Sequence, residues 1–342
     1  MAALLLLALL VLGSAALSAS AVVEIIEYPV GPPERHPQGI AMGPDGNLWF
    51  TLGRGTNAIG RMTTQGVVTT FPLPGDEDDN RPHGITVGPD GNLWFTMRFD
   101  PFQGDLAAWI GTITPSGEIM LFPTPTPPSR PWGITSGPDG NVWFTELAVR
   151  NIGRITPTGD ITEFPLPEGA EEPANIVAGP DSALWFTASK GNAIGRITIT
   201  GTDVRLFPLP APRSVPHDLT VGPDGALWFT ERGGEAIGRI TTSGAITEFP
   251  VPQPAVATLQ GITAGPDANI WFTETRRCCS GGRPFDFVGR LTPSTGDIYR
   301  IATPSRRAQP LDIIPGPNRT LWFTERDANS IGVVIRETFD TP

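Results

Sequence analysis

A nine-residue phrase, Gly-Pro-Asp-Gly-Asn-Leu-Trp-Phe-Thr at residues 43–51, recurs six more times with small changes along a chain of 342 residues. The repeated tryptophans are Trp49, Trp94, Trp143, Trp185, Trp228, Trp271 and Trp322. They follow one another at intervals of 45, 49, 42, 43, 43 and 51 residues. Such intervals are typical of propeller blades and solenoid repeats. The chain is therefore predicted to consist of seven copies of one supersecondary unit.

Each copy contains four strand signals. Ile-Gly-Arg and a closing Phe-Pro-Leu-Pro, or variants of these phrases, follow the Trp. In the fifth copy we predict strands at residues 217–221 and 227–231 around a Gly-Pro-Asp-Gly turn, and again at 236–240 and 245–249. Prolines after the fourth strand prevent further ladder pairing. Four antiparallel strands in about 43 residues predict a propeller blade.

The seventh copy ends after its third strand, at residues 331–335, whereas residues 24–30 form an unpaired copy of the fourth strand. We therefore predict an all-β, seven-bladed β-propeller over residues 22–342, a single domain closed by pairing of the N-terminal strand with the last blade. The composition agrees with this fold. The 40 Gly and 38 Pro are too many for long helices, while 39% hydrophobic residues are too many for a disordered chain.

Residues 1–21 are predicted to form a secretory signal peptide, because a Leu-rich run too short to span a bilayer precedes an Ala-Ser-Ala sequence. A secreted or periplasmic monomer without a membrane span is expected. The net charge of −11 argues against a nucleic-acid partner. The two cysteines, Cys278 and Cys279, are too few for a disulfide framework or a four-ligand zinc site. They form either a vicinal disulfide or two loop thiols.

One face of the predicted propeller carries the variable residues. A Pro-x-Gly phrase or a variant opens each blade, and x is Gln38, His83, Trp132, Ala174, His217, Gln260 and Leu311 in chain order. The opposite face carries only repetitive turns. Variation on one face is typical of a functional site built on a scaffold. Ligand contacts are expected from Arg81, Arg130, Trp132 and Gln260.

His217 is the first candidate for a general base, because Glu231 ends the paired strand and is expected to orient the imidazole. His83 is the second candidate, and the alternative is that both histidines are polar residues lining a wet channel. Glu231, Glu274 and Glu325 follow the Trp-Phe-Thr phrase and are expected to hold a divalent cation, Mg²⁺ or Ca²⁺. The alternative is that several of these carboxylates pair with neighbouring arginines such as Arg232.

Two blades carry long insertions between their second and third strands, at residues 98–109 and 275–287. Both insertions are predicted to project from the variable face. They contain aromatic and basic residues, and we expect them either to wall an amphipathic small molecule or to contact a protein partner. The alternative is that they have no function.

The Gly-Pro-Asp-Gly-x-Leu-Trp-Phe-Thr-Glu, Ile-Gly-Arg-Ile-Thr and Ile-Thr-Glu-Phe-Pro-Leu-Pro phrases resemble those of the virginiamycin B lyase (streptogramin lyase) family. The resemblance extends over nearly all of residues 22–342. It implies a seven-bladed propeller that linearises cyclic streptogramin B depsipeptides by magnesium-assisted elimination at the ester linkage. In such a reaction a base removes a Cα proton while the metal polarises a carbonyl.

The family's catalytic positions are largely substituted. The family pattern has Tyr at the first Pro-x-Gly entrance, His at the sixth, Glu-Pro-His at the seventh and Glu soon after the last Trp-Phe. These positions read Gln38, Gln260, Gln309-Pro310-Leu311 and Glu325-Arg326, so Glu325 alone retains the pattern, one position out of register. We expect a lyase-like propeller that acts with metal assistance on a cyclic ester or a related small molecule, with weak or absent activity on streptogramin B. A noncatalytic binding propeller and a lactonase-like hydrolase are the alternatives.

Overall fold

A computed structural model describes residues 22–32, 35–53, 56–74, 80–99, 108–252, 257–276 and 285–337. These residues form seven antiparallel sheets of four strands each, which confirms the predicted seven-bladed propeller. The described ranges contain one 3₁₀ turn, Pro317–Arg319, and no helix long and apolar enough to cross a bilayer. The predicted signal peptide, Cys278 and Cys279 lie outside the described residues.

The strands are numbered in chain order. The first strands of blades one to seven are β2 (Pro37–Met42), β6 (Asn80–Val87), β10 (Pro131–Ser136), β14 (Pro173–Ala178), β18 (Pro216–Val221), β22 (Ala257–Ala264) and β26 (Pro310–Pro315). The second strands are β3 (Leu48–Leu52), β7 (Leu93–Phe99), β11 (Val142–Glu146), β15 (Leu184–Ala188), β19 (Leu227–Glu231), β23 (Ile270–Arg276) and β27 (Leu321–Glu325).

The outer half of each blade is equally regular. The third strands are β4 (Ala58–Met62), β8 (Trp109–Ile113), β12 (Asn151–Ile155), β16 (Ala193–Ile197), β20 (Ala236–Ile240), β24 (Phe285–Leu291) and β28 (Ser330–Glu337). The fourth strands are β5 (Val68–Pro72), β9 (Ile119–Pro123), β13 (Ile161–Pro165), β17 (Val204–Pro208), β21 (Ile246–Pro250), β25 (Ile298–Arg306) and, in blade seven, β1 (Val22–Pro29).

The ring closes through its two chain ends. β1 pairs antiparallel with β28 in a continuous register that runs from Val22 opposite Glu337 to Pro29 opposite Ser330. The predicted closure of the ring by the N-terminal strand is therefore confirmed. β1 is the outermost strand of blade seven and covers the edge of β28, which would otherwise be unpaired.

The repeated phrases correspond to repeated contacts within each blade. The turn carboxylate of Asp45 accepts a hydrogen bond of 2.9 Å from the indole Nε1 of Trp49, and five other blades repeat the contact. In blade seven the hydroxyl of Thr320 accepts instead. Gly60 of the Ile-Gly-Arg phrase leaves room for a ring, since a Cβ there would lie 2.2 Å from Phe50. The Trp and Phe of each second strand therefore form the blade core.

Neighbouring blades are joined by an apolar cluster and by a repeated threonine link. At the first junction Trp49 and Ile59 of blade one pack with Leu93 and Phe95 of blade two, and similar clusters lie at the other junctions. Burial of each large aromatic side chain contributes on the order of 4 kcal/mol. The threonine of Trp-Phe-Thr donates to the backbone carbonyl of residue x in the next blade, as Thr51 does to His83 at 2.6 Å. Each junction therefore fixes the backbone that presents residue x.

Candidate functional site

A bulge at the start of each first strand presents the site. In blade five, Pro216 pairs with Glu231 and Leu219 with Phe229, so two residues, His217 and Asp218, lie opposite Thr230. The same register shift occurs in the first strands of all seven blades. Bulges change the direction of side chains near functional sites. Here they direct residue x and the residue after it toward the centre of the ring.

A central cavity of about 210 Å³ is lined by residues from three positions of the repeat. Position x contributes Gln38, His83, Trp132, His217, Gln260 and Leu311. The following position contributes Gly39, Gly84, Asn175, Asp218, Gly261 and Asp312. The third position, two residues after the threonine of the second strand, contributes Arg98, Arg232 and Arg326.

Trp132 connects the two histidines of the cavity. Its ring centroid lies 3.9 Å from that of His83 and 6.4 Å from that of His217, while the Arg98 guanidinium carbon lies 4.4 Å from the Trp132 ring. Burial and the nearby positive charge of Arg98 hold the pKa of His83 well below its ordinary value. Burial and Arg232 do the same to the pKa of His217. Both imidazoles are therefore neutral at pH 7 and can accept a proton.

Two carboxyl groups, the buried Asp218 and the partly buried Asp312, link the first strands at this cavity. Asp218 accepts hydrogen bonds from the amide of Asn175 and from the backbone N–H groups of Leu219 and Ile262. Ile262 belongs to the next blade. Asp312 accepts from the backbone N–H groups of Ile313 and of Ile40 in blade one. Burial raises the pKa of both carboxyls, and the charge of Asp312 raises that of Asp218 further. Both groups therefore have a structural role, because they hold consecutive blades together.

The expected pairing of His217 with Glu231 is not formed. Residues along a strand alternate between its two faces, and Thr230 faces the next blade, where it donates to the carbonyl of Gln260 at 2.8 Å. Arg232 therefore shares the face of Thr230 and reaches the cavity, while Glu231 points the other way. The Glu231 side chain is buried inside its own blade, near Ser214 and Glu248.

Glu231, Glu274 and Glu325, which were expected to hold a divalent cation, do not line the cavity. Glu274 makes ion pairs with Arg276 at 3.2 Å and with Arg300 at 2.8 Å, within blade six. Glu325 faces Glu27 of β1 within blade seven. In the ranges that the structure describes, no group of three His, Cys, Asp or Glu side chains is arranged to hold a metal ion.

Two of the four predicted ligand contacts lie in the cavity. Trp132 and Gln260 line it, and Gln260 Oε1 accepts a hydrogen bond of 2.6 Å from Arg232. Arg81 and Arg130 each lie two residues before position x and do not line it. Of the two insertions, residues 100–107 and 277–284 lie outside the described residues.

Sequence reasoning missed the arginines at the third position and the carboxyls that follow x. Arg98, Arg232 and Arg326 could have been predicted from the two-residue period of a strand. Each lies two positions after the threonine of Trp-Phe-Thr and therefore on the same face as that threonine. Asp218 and Asp312 could have been predicted from their place directly after residue x in the Pro-x-Gly phrase, because most blades have Gly there.

Comparisons with known proteins agree with this architecture. Residues 23–281 match the model of the virginiamycin B lyase family. A solved streptogramin B lyase structure superposes with a TM-score of 0.79 at 34% identity, over 92% of this chain and 98% of that one. A catalytically inactive virginiamycin B lyase variant from Staphylococcus aureus with quinupristin gives a TM-score of 0.80 at 37% identity, over 92% and 99%.

A local similarity to curated relatives is stronger but short. The virginiamycin B lyase of Bordetella pertussis (strain Tohama I) is 58% identical over 52 residues, which is 15% of this chain and 17% of that protein. The matched segment thus spans about a sixth of that relative.

Proposed function

Because the chain belongs to the virginiamycin B lyase family, we propose that it binds a small molecule in its central cavity and does not linearise streptogramin B with magnesium. One observation carries this proposal. The second strands place Arg98, Arg232 and Arg326 in the cavity, and Arg326 stands beside the Glu325 to which the resemblance assigned a catalytic carboxylate. The cavity thus carries three guanidinium groups, one of them directly beside the position where the resemblance implies a carboxylate.

The residues present do not fit the divalent cation that the resemblance implies. Magnesium and calcium take oxygen ligands, chiefly carboxylates, and three guanidinium groups in one cavity oppose a cation by charge. The two carboxyls that line the cavity, Asp218 and Asp312, already accept backbone hydrogen bonds. Glu231, Glu274 and Glu325 face the interiors of their own blades.

The proposal is tested by incubating the purified protein with quinupristin and Mg²⁺ and following linearisation by mass spectrometry. The S. aureus enzyme serves as the positive control. We expect no product above the rate without protein, because Gln260 and Leu311 stand where the family pattern has histidines. Robust magnesium-dependent linearisation would refute the proposal.

A second candidate function is a metal-independent elimination at a C–O bond. It is favoured by one observation, that the His217 imidazole and the Arg232 guanidinium line the same cavity, where burial and the Arg232 charge lower the pKa of His217 and keep the imidazole neutral. A neutral imidazole can remove a Cα proton, and a guanidinium can polarise the adjacent carbonyl. The bond to the leaving oxygen then breaks as the carbon–carbon double bond forms.

The elimination is tested with a panel of esters and lactones in the presence of a chelator. If activity is found, His217→Ala should lower the rate by about 10² or more without a change in melting temperature. Loss of activity in His83→Ala, with His217→Ala unaffected, would move the base to blade two. Ring opening by water, without a double bond in the product, would identify the lactonase-like alternative.

The same proposal includes export of the protein. The Leu-rich segment and the Ala-Ser-Ala sequence in residues 1–21 support a cleaved leader. Expression of the full chain in a bacterial host, followed by N-terminal sequencing of the exported product, should give a mature chain that begins at Val22. A product that keeps residues 1–21 in the cytoplasm would contradict export.

A further inference from the structure

Three guanidinium groups enter one cavity from three separate blades. Arg98, Arg232 and Arg326 follow the link threonines of blades two, five and seven by two residues. Each is therefore held at the end of a strand whose threonine is hydrogen-bonded to the adjoining blade. The arrangement depends on the ring fold, since the three residues are more than 90 positions apart in sequence.

Neighbouring side chains orient two of these groups, and a backbone hydrogen bond fixes the main chain of the third residue. The Arg98 guanidinium lies over the Trp132 ring, a cation–π contact. Arg232 Nη2 donates to Gln260 Oε1 at 2.6 Å. The backbone N–H of Arg326 donates to the carbonyl of Gln309 at 3.1 Å. Pre-oriented guanidinium groups bind planar oxyanions well, because their N–H donors match the spacing of two carboxylate oxygens.

The charge of the cavity contrasts with that of the whole chain. The protein carries a net charge of −11, yet three arginines lie at one small site. Two carboxyl groups, Asp218 and Asp312, also line the cavity, and each accepts backbone hydrogen bonds. Burial and the charge of Asp312 raise the pKa of Asp218 well above its ordinary value. The carboxylate of Asp327, which is 46% exposed, lies 3.9 Å from the Arg326 guanidinium. His83 and His217 are neutral there. The three guanidinium groups therefore outnumber the carboxyl groups that line the cavity, on a protein that is acidic overall.

The volume of the cavity and the side chains of its walls limit which anions could bind there. A cavity of about 210 Å³ is smaller than the roughly 300–1,000 Å³ of sites for drug-sized ligands. Trp132 and Leu311 add aromatic and aliphatic surface to the basic groups. A small molecule with one oxyanion and one apolar part satisfies both kinds of wall.

Extending the proposed function, we propose that the ligand of this cavity is a small organic acid whose carboxylate is bound by Arg98, Arg232 and Arg326. The shared chemistry is that of an oxyanion, and phosphate or sulfate could supply it as well. The apolar wall of Trp132 and Leu311 favours the organic acid over the inorganic anions.

The proposal is tested by isothermal titration of the full mature protein with benzoate, inorganic phosphate, sulfate and the neutral analogue benzamide. We expect benzoate to bind with a Kd below about 1 mM and benzamide at least tenfold more weakly. Tighter binding of phosphate than of benzoate would overturn the assignment to an organic acid. No binding of any anion up to about 10 mM would overturn the anion site itself.

Variants locate the binding. Arg98→Gln, Arg232→Gln and Arg326→Gln should each weaken benzoate binding about 10- to 100-fold, the usual effect of losing a hydrogen bond to a charged group. Arg205→Gln is the matched control, because Arg205 lies on β17 with a side chain 64% exposed, away from the cavity. Thermal unfolding checks that each variant folds. If one variant does not fold, benzoate binding by the other two tests the proposal. Equal binding in all variants would refute the site, whereas a magnesium-dependent lyase activity would refute only the proposed function.

Discussion

Two neighbouring positions at the end of the second strand face opposite environments. The residue after Trp-Phe-Thr is buried inside its own blade, and in four blades it is acidic, namely Glu146, Glu231, Glu274 and Glu325. In three blades the next residue is an arginine that lines the central cavity, namely Arg98, Arg232 or Arg326. We call these sets the acidic row and the basic row. One step along a pleated strand thus separates a set with a structural role from a set placed to bind a ligand.

The acidic row is not uniform. Burial and the carboxylate of Glu163 raise the pKa of Glu146 to about 8. Burial, with a contribution from Glu248, raises the pKa of Glu231 to about 7. Burial and Glu27 raise the pKa of Glu325 to about 9.

Blade six differs from these three blades. Its fourth strand carries Arg300, which makes an ion pair with Glu274. The acidic row should therefore stabilise the fold in blade six and destabilise it, when ionised, in blades three, five and seven.

The largest effect is expected from removing the strand that partners Glu325. Deleting residues 22–30 leaves β28 unpaired and removes the buried Ile25 and Val30, together with Glu27. We expect a loss of about 5 kcal/mol or more, or no folding at all. Thermal unfolding compares this variant with the chain that lacks only residues 1–21. Equal melting temperatures would refute the closure of the ring by β1.

A smaller loss is expected in blade six. Glu274→Gln leaves the charged Arg300 guanidinium, which is 18% exposed, without its carboxylate. The expected cost is about 1–3 kcal/mol, measured by urea unfolding at pH 7. Glu118→Gln on the exposed end of blade two is the control. An unchanged stability of Glu274→Gln would show that the ion pair contributes nothing.

The opposite sign is expected in blade seven. A carboxyl with a raised pKa binds a proton more tightly in the folded chain, so wild-type stability falls as pH rises from about 4.5 toward the folded pKa of about 9. Glu325→Gln removes this loss and should be more stable than the wild type by about 1 kcal/mol or more at pH 9.

The difference between variant and wild type isolates this effect. His83 and His217 have lowered pKa values and therefore change stability in the opposite direction below pH 6.5. The gain of Glu325→Gln should be near zero at pH 4 and should grow up to pH 9. A gain that is constant across this range would contradict the raised pKa of Glu325.

The smallest effect is expected from substituting a residue of the acidic row and measuring the affinity for benzoate. Glu231→Gln should change the benzoate Kd by less than about twofold, because the side chain does not face the cavity, whereas Arg232→Gln should weaken binding about tenfold or more. Titration of both variants at pH 7 compares adjacent residues of one strand. A stronger effect of Glu231→Gln would reverse the assignment of the two rows.

The fold could be predicted from the sequence because the repeated residues are those that make the structural contacts of each blade. The Trp-Phe pair, the turn aspartate and the link threonine each make the same contact in nearly every blade, so their spacing indicates blade number and strand order. The pairing of residues 24–30 with the last blade followed from the missing fourth strand.

The site was predicted less completely, for a geometric reason. Residue x was predicted to lie on the variable face, and His83, Trp132, His217 and Gln260 line the central cavity. At the ends of the second strands, the prediction assigned the glutamates to the cavity instead of the arginines one residue later. The threonine of Trp-Phe-Thr shows which face of the strand points toward the cavity, but its hydrogen-bond partner lies in another blade. Contacts between blades are not visible in the repeat of a single blade.

Anomalous diffraction from crystals soaked with 4-bromobenzoate and Mn²⁺ tests the central claim most directly, because bromine and manganese can be located separately. The account predicts a bromobenzoate in the central cavity, with its carboxylate among Arg98, Arg232 and Arg326, and no manganese in that cavity. A manganese ion in the cavity, coordinated by Asp218, Asp312 or a member of the acidic row, would contradict it.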